Sequence, residues 1–242
     1  MANTIKIHAP HVRMIAHRGV SGLEKENSAA AFVAAGNRSY MGIETDVHRT
    51  LDGEFIIIHD DTTGRVSPDA LPVEGSRYAL LRQLHLNGVD GGPGRADLVL
   101  PSLREYAGIC RHDEKVSVLE LKNHFVPDDV RRIVDIMREE GQLEQTIFIS
   151  FDLLNIITLR SLLPDQPLQF LTGWYAPFLP DTLTRYRLGL DIRYTALTAE
   201  IVADLHSKGI EVTCWTVNTA EEAERLAGFG VDYITTNILE ND

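Results

Sequence analysis

The chain is short of cysteine, of basic charge and of long apolar runs, and each shortage closes off a class of function. Cys110 and Cys214 are its two cysteines, far apart and without paired spacing. Neither a disulfide framework nor a cysteine zinc site is expected. The 23 Lys and Arg face 35 Asp and Glu, a net charge of −12. Nucleic acid and anionic membrane need basic patches and are poor partners for such a surface. No segment approaches the roughly 18 consecutive apolar residues of a membrane span. The opening MANTIKIHAPHVRM lacks the basic-then-apolar pattern of an export leader, so the expectation is a cytoplasmic protein. Repeats, low-complexity tracts and long linkers are also missing.

What is present is alternation. Short, β-branched apolar runs recur at 12–16, 41–47, 116–122, 146–151, 167–172, 191–197, 210–217 and 231–236. Helical periodicity fills most of the gaps, in SAAAFVAAG, PSLREYAGICR, PDDVRRIVDIMREEG, DLLNIITLRSLL, TAEIVADLHSKG and TAEEAERLAGFG, with a further helical segment in 178–190. Several of these begin on Ser, Thr or Asp and end on Gly, Gly141 and Gly209 most clearly. Strand–helix alternation implies a parallel sheet. Eight units within 242 residues predict an α/β fold of the closed (β/α)₈ TIM-barrel type, as one domain over 1–242. The rival is an open sheet, but no Gly-rich fingerprint follows the first strand, as a nucleotide-binding version would need.

One stretch breaks the alternation. In HRTLDGEFIIIHD, Asp52-Gly53 sits between two apolar-alternating runs, a hairpin signal. A two-residue loop would pair Leu51 with Glu54 and set His59 opposite Asp46. Residues 60–100 then read as a polar, Gly- and Pro-containing excursion over the barrel mouth. The hairpin and insertion together span about 48–100. Long loops in compact domains are more often functional than not.

The unusual residues fall at strand ends, where barrels of this kind keep their chemistry. The first run ends in His17-Arg18-Gly19. The second carries Glu44 and Asp46, two apart and so on one face. The third ends VLELK, with Glu120 and Lys122 on one face. Solvated strand ends and hairpins are the competing reading. Three carboxylates gathered at one mouth require a compensating cation. All-oxygen ligation points to Mg²⁺ or Ca²⁺, held by Glu44, Asp46 and Glu120. Arg18 and Lys122 supply positive charge for a phosphate. His17 and His59 titrate near neutral pH and suit proton transfer on either side of a phosphodiester. The remaining histidines (8, 11, 48, 85, 112, 124 and 206) carry no motif. No feature of the sequence specifies an oligomeric state.

An ordered set of motifs completes this reading: IAHRG, the Glu-Asn-Ser of LEKENSAAAF, GIETDV, LDGEF, IIIHDDTTGRVS, PSLREY, LELK, ISFD, CWTVN and GVDYITTN. In this order the set resembles the glycerophosphodiester phosphodiesterases over nearly the whole chain. The resemblance implies a (β/α)₈ barrel, one Mg²⁺ or Ca²⁺ ion, and hydrolysis of small glycerophosphodiesters to glycerol 3-phosphate and an alcohol. By motif, His17 and His59 are then the acid–base pair, Glu44, Asp46 and Glu120 the metal ligands, and Arg18, Lys122 and Trp215 the substrate contacts. Glu26 and Asn27 are expected to support them. Two departures stand out: Lys25 where the family often has Pro, and Thr236-Asn237 where it often has Thr-Asp. Rival functions are lysophospholipase D-like hydrolysis of lysolipids, which an apolar rim at 174–180 would favour, and a non-catalytic barrel that binds a phosphate ligand. An aldolase or isomerase barrel would need Lys122 as a Schiff base, and its neighbours fit phosphate better.

Overall fold

The computed structural model describes residues 3–242. Its strands are β1 (Ile5–Ile7), β2 (Arg13–Ala16), β3 (Gly42–Arg49), β4 (Phe55–Ile57), β5 (Val116–Leu121), β6 (Thr146–Ser150), β7 (Leu168–Thr172), β8 (Gly189–Arg193), β9 (Val212–Trp215), β10 (Tyr233–Thr236) and β11 (Leu239–Asn241). Its helices are α1 (Ala29–Gly36), α2 (Tyr78–Leu81), α3 (Leu103–His112), α4 (Pro127–Glu139), α5 (Leu153–Leu162), α6 (Leu179–Tyr186), α7 (Ala199–Ser207) and α8 (Ala220–Phe229). The parallel order β2-β3-β5-β6-β7-β8-β9-β10 closes on itself through the β10–β2 pair, giving the eight-stranded barrel expected. The sixth barrel strand differs from its expected limits: β8 covers 189–193, and Tyr194–Ala196 form a 3₁₀ turn.

Local chemistry explains the helices. Ser28, Asp152, Thr198 and Thr219 cap the starts of α1, α5, α7 and α8 through their side chains. Ser102 and Glu105 form a reciprocal capping box on α3, and Pro127 opens α4. The main core lies between barrel and helices: apolar strand residues such as Ile43, Phe148 and Leu190 pack against Phe32, Tyr106, Ile133 and Leu205. Seven helices clad the barrel. After β10 there is no helix; instead β11 pairs in parallel with β1, Ile5 with Leu239, as a separate two-stranded sheet.

The hairpin register differs from expectation by one residue. Val47 pairs with Ile57 and Arg49 with Phe55, so Thr50 faces Glu54 and the loop holds three residues, Leu51 to Gly53. Gly53 makes this possible with φ +84°, a conformation that side chains disfavour. Asp46 therefore faces Ile58, whose N–H it accepts at 3.1 Å, and His59 follows just beyond the paired strand. The insertion is better ordered than its composition suggests. Ile56 and Ile58 bury against Val66, Val73, Leu81, Leu84, Leu86, Leu98 and Leu100, a second core of its own. This packing holds His59 at the barrel mouth in spite of the shifted register.

Candidate active site

Three carboxylates line one side of the mouth. Glu44 and Asp46 alternate along β3, and Glu120 stands beside Asp46 in the parallel register of β5. All three are buried, and one oxygen of each falls within 4.8 Å of the others. Burial, reinforced by Asp46, raises Glu44 well above the usual carboxylate range and pushes Glu120 up to about 8. Burial also acts to raise Asp46, but Arg18 and Lys122 outweigh it and hold Asp46 low. Asp46 Oδ1 has no hydrogen-bond partner. Mutually repelling, oxygen-only and with three negative charges against two cations, this set fits a divalent cation. Its formal charges agree: with Arg18 and Lys122 the cluster is one unit negative, and a divalent ion makes it one unit positive, matched to a monoanionic diester.

The two cations are already tied to this cluster. Lys122 Nζ lies 2.9 Å from Glu120 and 3.5 Å from Asp46. Arg18 Nε is 3.5 Å from Asp46, and its backbone N–H donates to Glu44 at 2.8 Å. Arg18 adopts φ +54°, and the following Gly19 backs onto the Ala31 backbone so closely that a Cβ would sit 2.6 Å away. Arg18 and Asn27, at φ +52°, are non-glycine residues in left-handed conformations beside the site, where such strain tends to collect. Asn27 donates to Asp46 Oδ2 at 2.8 Å and accepts from Thr45, which fixes the orientation of the carboxylate. The supporting role expected of Asn27 thus has a geometry.

The histidines approach from two directions. His17 Nδ1 lies 2.7 Å from Asn237 Oδ1, which also accepts from Ser21 Oγ. An amide oxygen serving two donors makes Nδ1 the protonated nitrogen and leaves the Nε2 lone pair free, 4.0 Å from Glu44. Burial and then Arg18 lower His17 to about 4. His59 Nδ1 bonds to Asp60 at 2.6 Å. Burial lowers His59 as well, with Arg18 and Lys122 adding to it against the pull of Asp46.

Asp60 and Arg65 are residues that the sequence reading passed over, while Asn237 was noted there only as a departure from the family pattern and His48 only as a histidine without a motif. Arg65 stands on a 3₁₀ turn of the insertion, Thr63–Arg65. Its guanidinium grips Asp60 at 2.6 Å and 3.0 Å, and Glu26 at 2.5 Å and 2.9 Å. Glu26 in turn accepts from Arg18 at 2.8 Å. His59, Asp60, Arg65, Glu26 and Arg18 therefore form one continuous chain of charge-assisted bonds, and Arg65 holds Asp60 down at about 2. His48 is fully buried and bonds to the His59 carbonyl at 3.2 Å, with Glu74 on its other nitrogen. His124 instead pairs with Asp152 at 2.7 Å.

A cavity of about 150 Å³ joins these groups. His17, Arg18, Glu44, His59 and Glu120 share it with Ile149 on β6, Phe151 just after it and Leu171 on β7, and with Asp191, Trp215 and Thr235 on the facing strands. Trp215 is half-buried, edge-on to Phe151 with ring centres 5.8 Å apart. A larger cavity of about 490 Å³ opens at the opposite end, around the starts of β7 and β8. Arg160 there is spent on the carbonyls of Leu163, Pro164, Gln166, Tyr186 and Arg187, which stitch the barrel floor. The smaller cavity lies at the C-terminal ends of the strands, the end at which barrels of this kind keep their chemistry.

Comparison with known proteins agrees with this fold. Residues 17–240 match the Glycerophosphoryl diester phosphodiesterase family. The chain belongs to that family. It is 28% identical over 228 residues to a glycerophosphodiester phosphodiesterase of Caldanaerobacter subterraneus, covering 93% of each chain. Among solved folds it resembles an Oleispira antarctica phosphodiesterase in complex with its product sn-glycerol 3-phosphate, at TM-score 0.87 and 24% identity, covering 93% of this chain and 92% of that one. It also resembles a glycerophosphodiester phosphodiesterase of Parabacteroides distasonis, at TM-score 0.78 and 26% identity, covering 98% and 94%. Among the described residues no helix is long and apolar enough to cross a membrane.

Proposed function

We propose that the cluster at the barrel mouth carries out the family's reaction on a water-soluble glycerophosphodiester, releasing glycerol 3-phosphate and an alcohol. The observation that supports it most directly is a cavity lined by His17, Arg18, Glu44, His59 and Glu120, behind which Asp46 and Lys122 complete a cluster of three buried carboxylates and two cations. Glu44, Asp46 and Glu120 would hold Mg²⁺ or Ca²⁺, which when bound supplies positive charge against the phosphoryl oxygens. Arg18 offers its fork and Lys122 its point charge to the same oxygens.

The histidines divide the proton work. His17, neutral and presenting Nε2, takes the proton from the nucleophile, either a water, which gives glycerol 3-phosphate directly, or a neighbouring glycerol hydroxyl, which closes a cyclic phosphate that a water then opens. The oxygen of the nucleophile bonds to phosphorus as the bond from phosphorus to the alcohol oxygen breaks. His59, oriented through Nδ1 by Asp60, gives its proton to the departing oxygen. Trp215 flanks the substrate. The test is release of glycerol 3-phosphate from glycerophosphocholine and glycerophosphoethanolamine, with EDTA, Mg²⁺ and Ca²⁺ in parallel. Metal-restored turnover is expected; turnover that persists in EDTA, or none with either ion, overturns the reading.

One feature favours a second substrate. Phe151, Leu154, Trp174 and Phe178 follow β6 and β7 at the mouth, each about half exposed, and Trp174 stacks edge-on with Phe178 at 6.1 Å. Such a rim suits an alcohol carrying an acyl chain. Faster turnover of lysophosphatidylcholine than of glycerophosphocholine would make the lysolipid the substrate.

A further inference from the structure

The wall of the cavity that faces the carboxylates is polar and has nothing to bind. In the barrel order β8 lies across from β3, and β8, β9 and β10 carry Asp191, Trp215 and Thr235. Asp191 is 2% exposed, yet its side chain makes no hydrogen bond or ion pair among the described residues. Trp215 Nε1 and Thr235 Oγ1 are buried and equally without a partner, as is Thr213 Oγ1, beside Asp191 in the β8–β9 register. Native interiors seldom leave several such atoms unsatisfied in one place. Where they do, a ligand or ordered water is the usual partner.

The chemistry of the wall narrows the ligand. A carboxyl with no neighbouring cation does not attract a phosphate. A hydroxyl suits it, because it donates to Asp191 and accepts from Trp215 Nε1–H or Thr235 Oγ1–H. Between the two polar walls lie Ile149, Phe151 and Leu171, a surface for carbon. The cavity is therefore anion-binding on one side, apolar in the middle and hydroxyl-binding on the other. At about 150 Å³ it is well below the few hundred of a drug-sized pocket, so the fitting group is a short polyol.

We propose that Asp191, Trp215 and Thr235 form the subsite for the glycerol hydroxyls of the substrate, and that Asp191 sets the preference for glycerol over unhydroxylated alkyl groups. The assignment rests on the reading of the site as a glycerophosphodiester hydrolase. It also gives the alcohol its direction, out past Phe151 toward the rim.

The test compares glycerol 3-phosphate with n-propyl phosphate, the same carbon chain without hydroxyls. Affinities of both for the Mg²⁺-loaded protein are measured by calorimetry in the wild type, Asp191→Leu and Asp191→Asn. The wild type should prefer glycerol 3-phosphate by about tenfold or more, the worth of one or two hydrogen bonds. Asp191→Leu should bring the ratio to within about threefold by weakening glycerol 3-phosphate alone, and Asp191→Asn should fall between. An unchanged ratio, or equal weakening of both ligands, overturns the subsite. If Asp191→Leu does not unfold cooperatively, Thr235→Val carries the same comparison. Glycerophosphocholine turnover by the wild type separates the two readings. Turnover with an unchanged ratio sinks the subsite alone; an intact preference without turnover sinks the hydrolase and leaves a glycerol-phosphate site.

Discussion

Asn237 Oδ1 sits 2.7 Å from His17 Nδ1 and thereby joins the end of the last barrel strand to the end of the first. The partner is a neutral amide, so it fixes the imidazole without stabilising its charged form. That agrees with a His17 lowered to about 4 by burial and by Arg18. Asn237→Asp would place a carboxylate at the same point. His17 should then titrate at least about one unit higher, and the acid limb of kcat/KM should move up with it. NMR titration of the ring and the pH–rate profile check this; an unmoved limb would separate His17 from proton abstraction.

His17→Ala and His59→Ala should each lower kcat by about 100-fold or more, the usual worth of a positioned acid or base. Near-wild-type turnover in either variant breaks the assignment. The two should also differ in kind. A substrate with a p-nitrophenolate leaving group needs little protonation, so it should rescue His59→Ala and leave His17→Ala slow.

Arg65 touches neither histidine, yet it grips both Asp60 and Glu26. Arg65→Ala should free the first to swing from His59 and the second from Arg18. A loss of about 10- to 100-fold in kcat is expected, with KM changed less, as for other groups that orient a metal site from behind. Lys should restore little, since a point charge cannot span both carboxylates. Full rescue by Arg65→Lys would reduce the role of Arg65 to bulk charge.

Metal removal should make stability depend on pH in a particular direction. Burial and Asp46 push Glu120 up to about 8, and Glu44 is raised as well. A carboxyl raised on folding contributes stability that is complete below its unfolded value and is lost as pH climbs through its folded one. His17, shifted the opposite way, loses its contribution as pH falls below about 6.5. Asp46, held low, is constant above that point. From pH 6.5 to 8.5 the EDTA-treated protein should therefore lose about 4 °C or more in Tm. With Mg²⁺ the slope should flatten. A level profile in EDTA would mean that neither burial nor mutual repulsion raises Glu44 and Glu120.

The parts legible in the sequence are those fixed by local periodicity. Glu44 and Asp46 share a face because strand side chains alternate, and Glu120 joins them because β5 lies in parallel register beside β3. The motif order carried His17, Arg18, His59 and Lys122 to the same mouth. Two kinds of information were not local. The Asp52-Gly53 pair signals a two-residue turn, but Gly53 in a left-handed conformation closes a three-residue loop and shifts the register. Partners distant along the chain were the other loss: Asn237 meets His17 across 220 residues, and Arg65 meets Glu26 across 39. Asp191 escaped notice because it was read as the start of a strand, whereas it lies in the middle of β8 and faces the lumen. An acidic residue inside an apolar strand was the available clue.

The pairing of β1 with β11, together with that of β2 with β10, has a consequence for how the molecule is made. During synthesis the carboxylates of β3 and β5 emerge well before Asn237, the residue that aligns His17. A chain that lacks β10 and Asn237 still carries all three carboxylates but has lost the contact that aligns the imidazole. Hydrolytic competence would arrive only with the closing strand, so activity doubles as a report that the ring has been sealed.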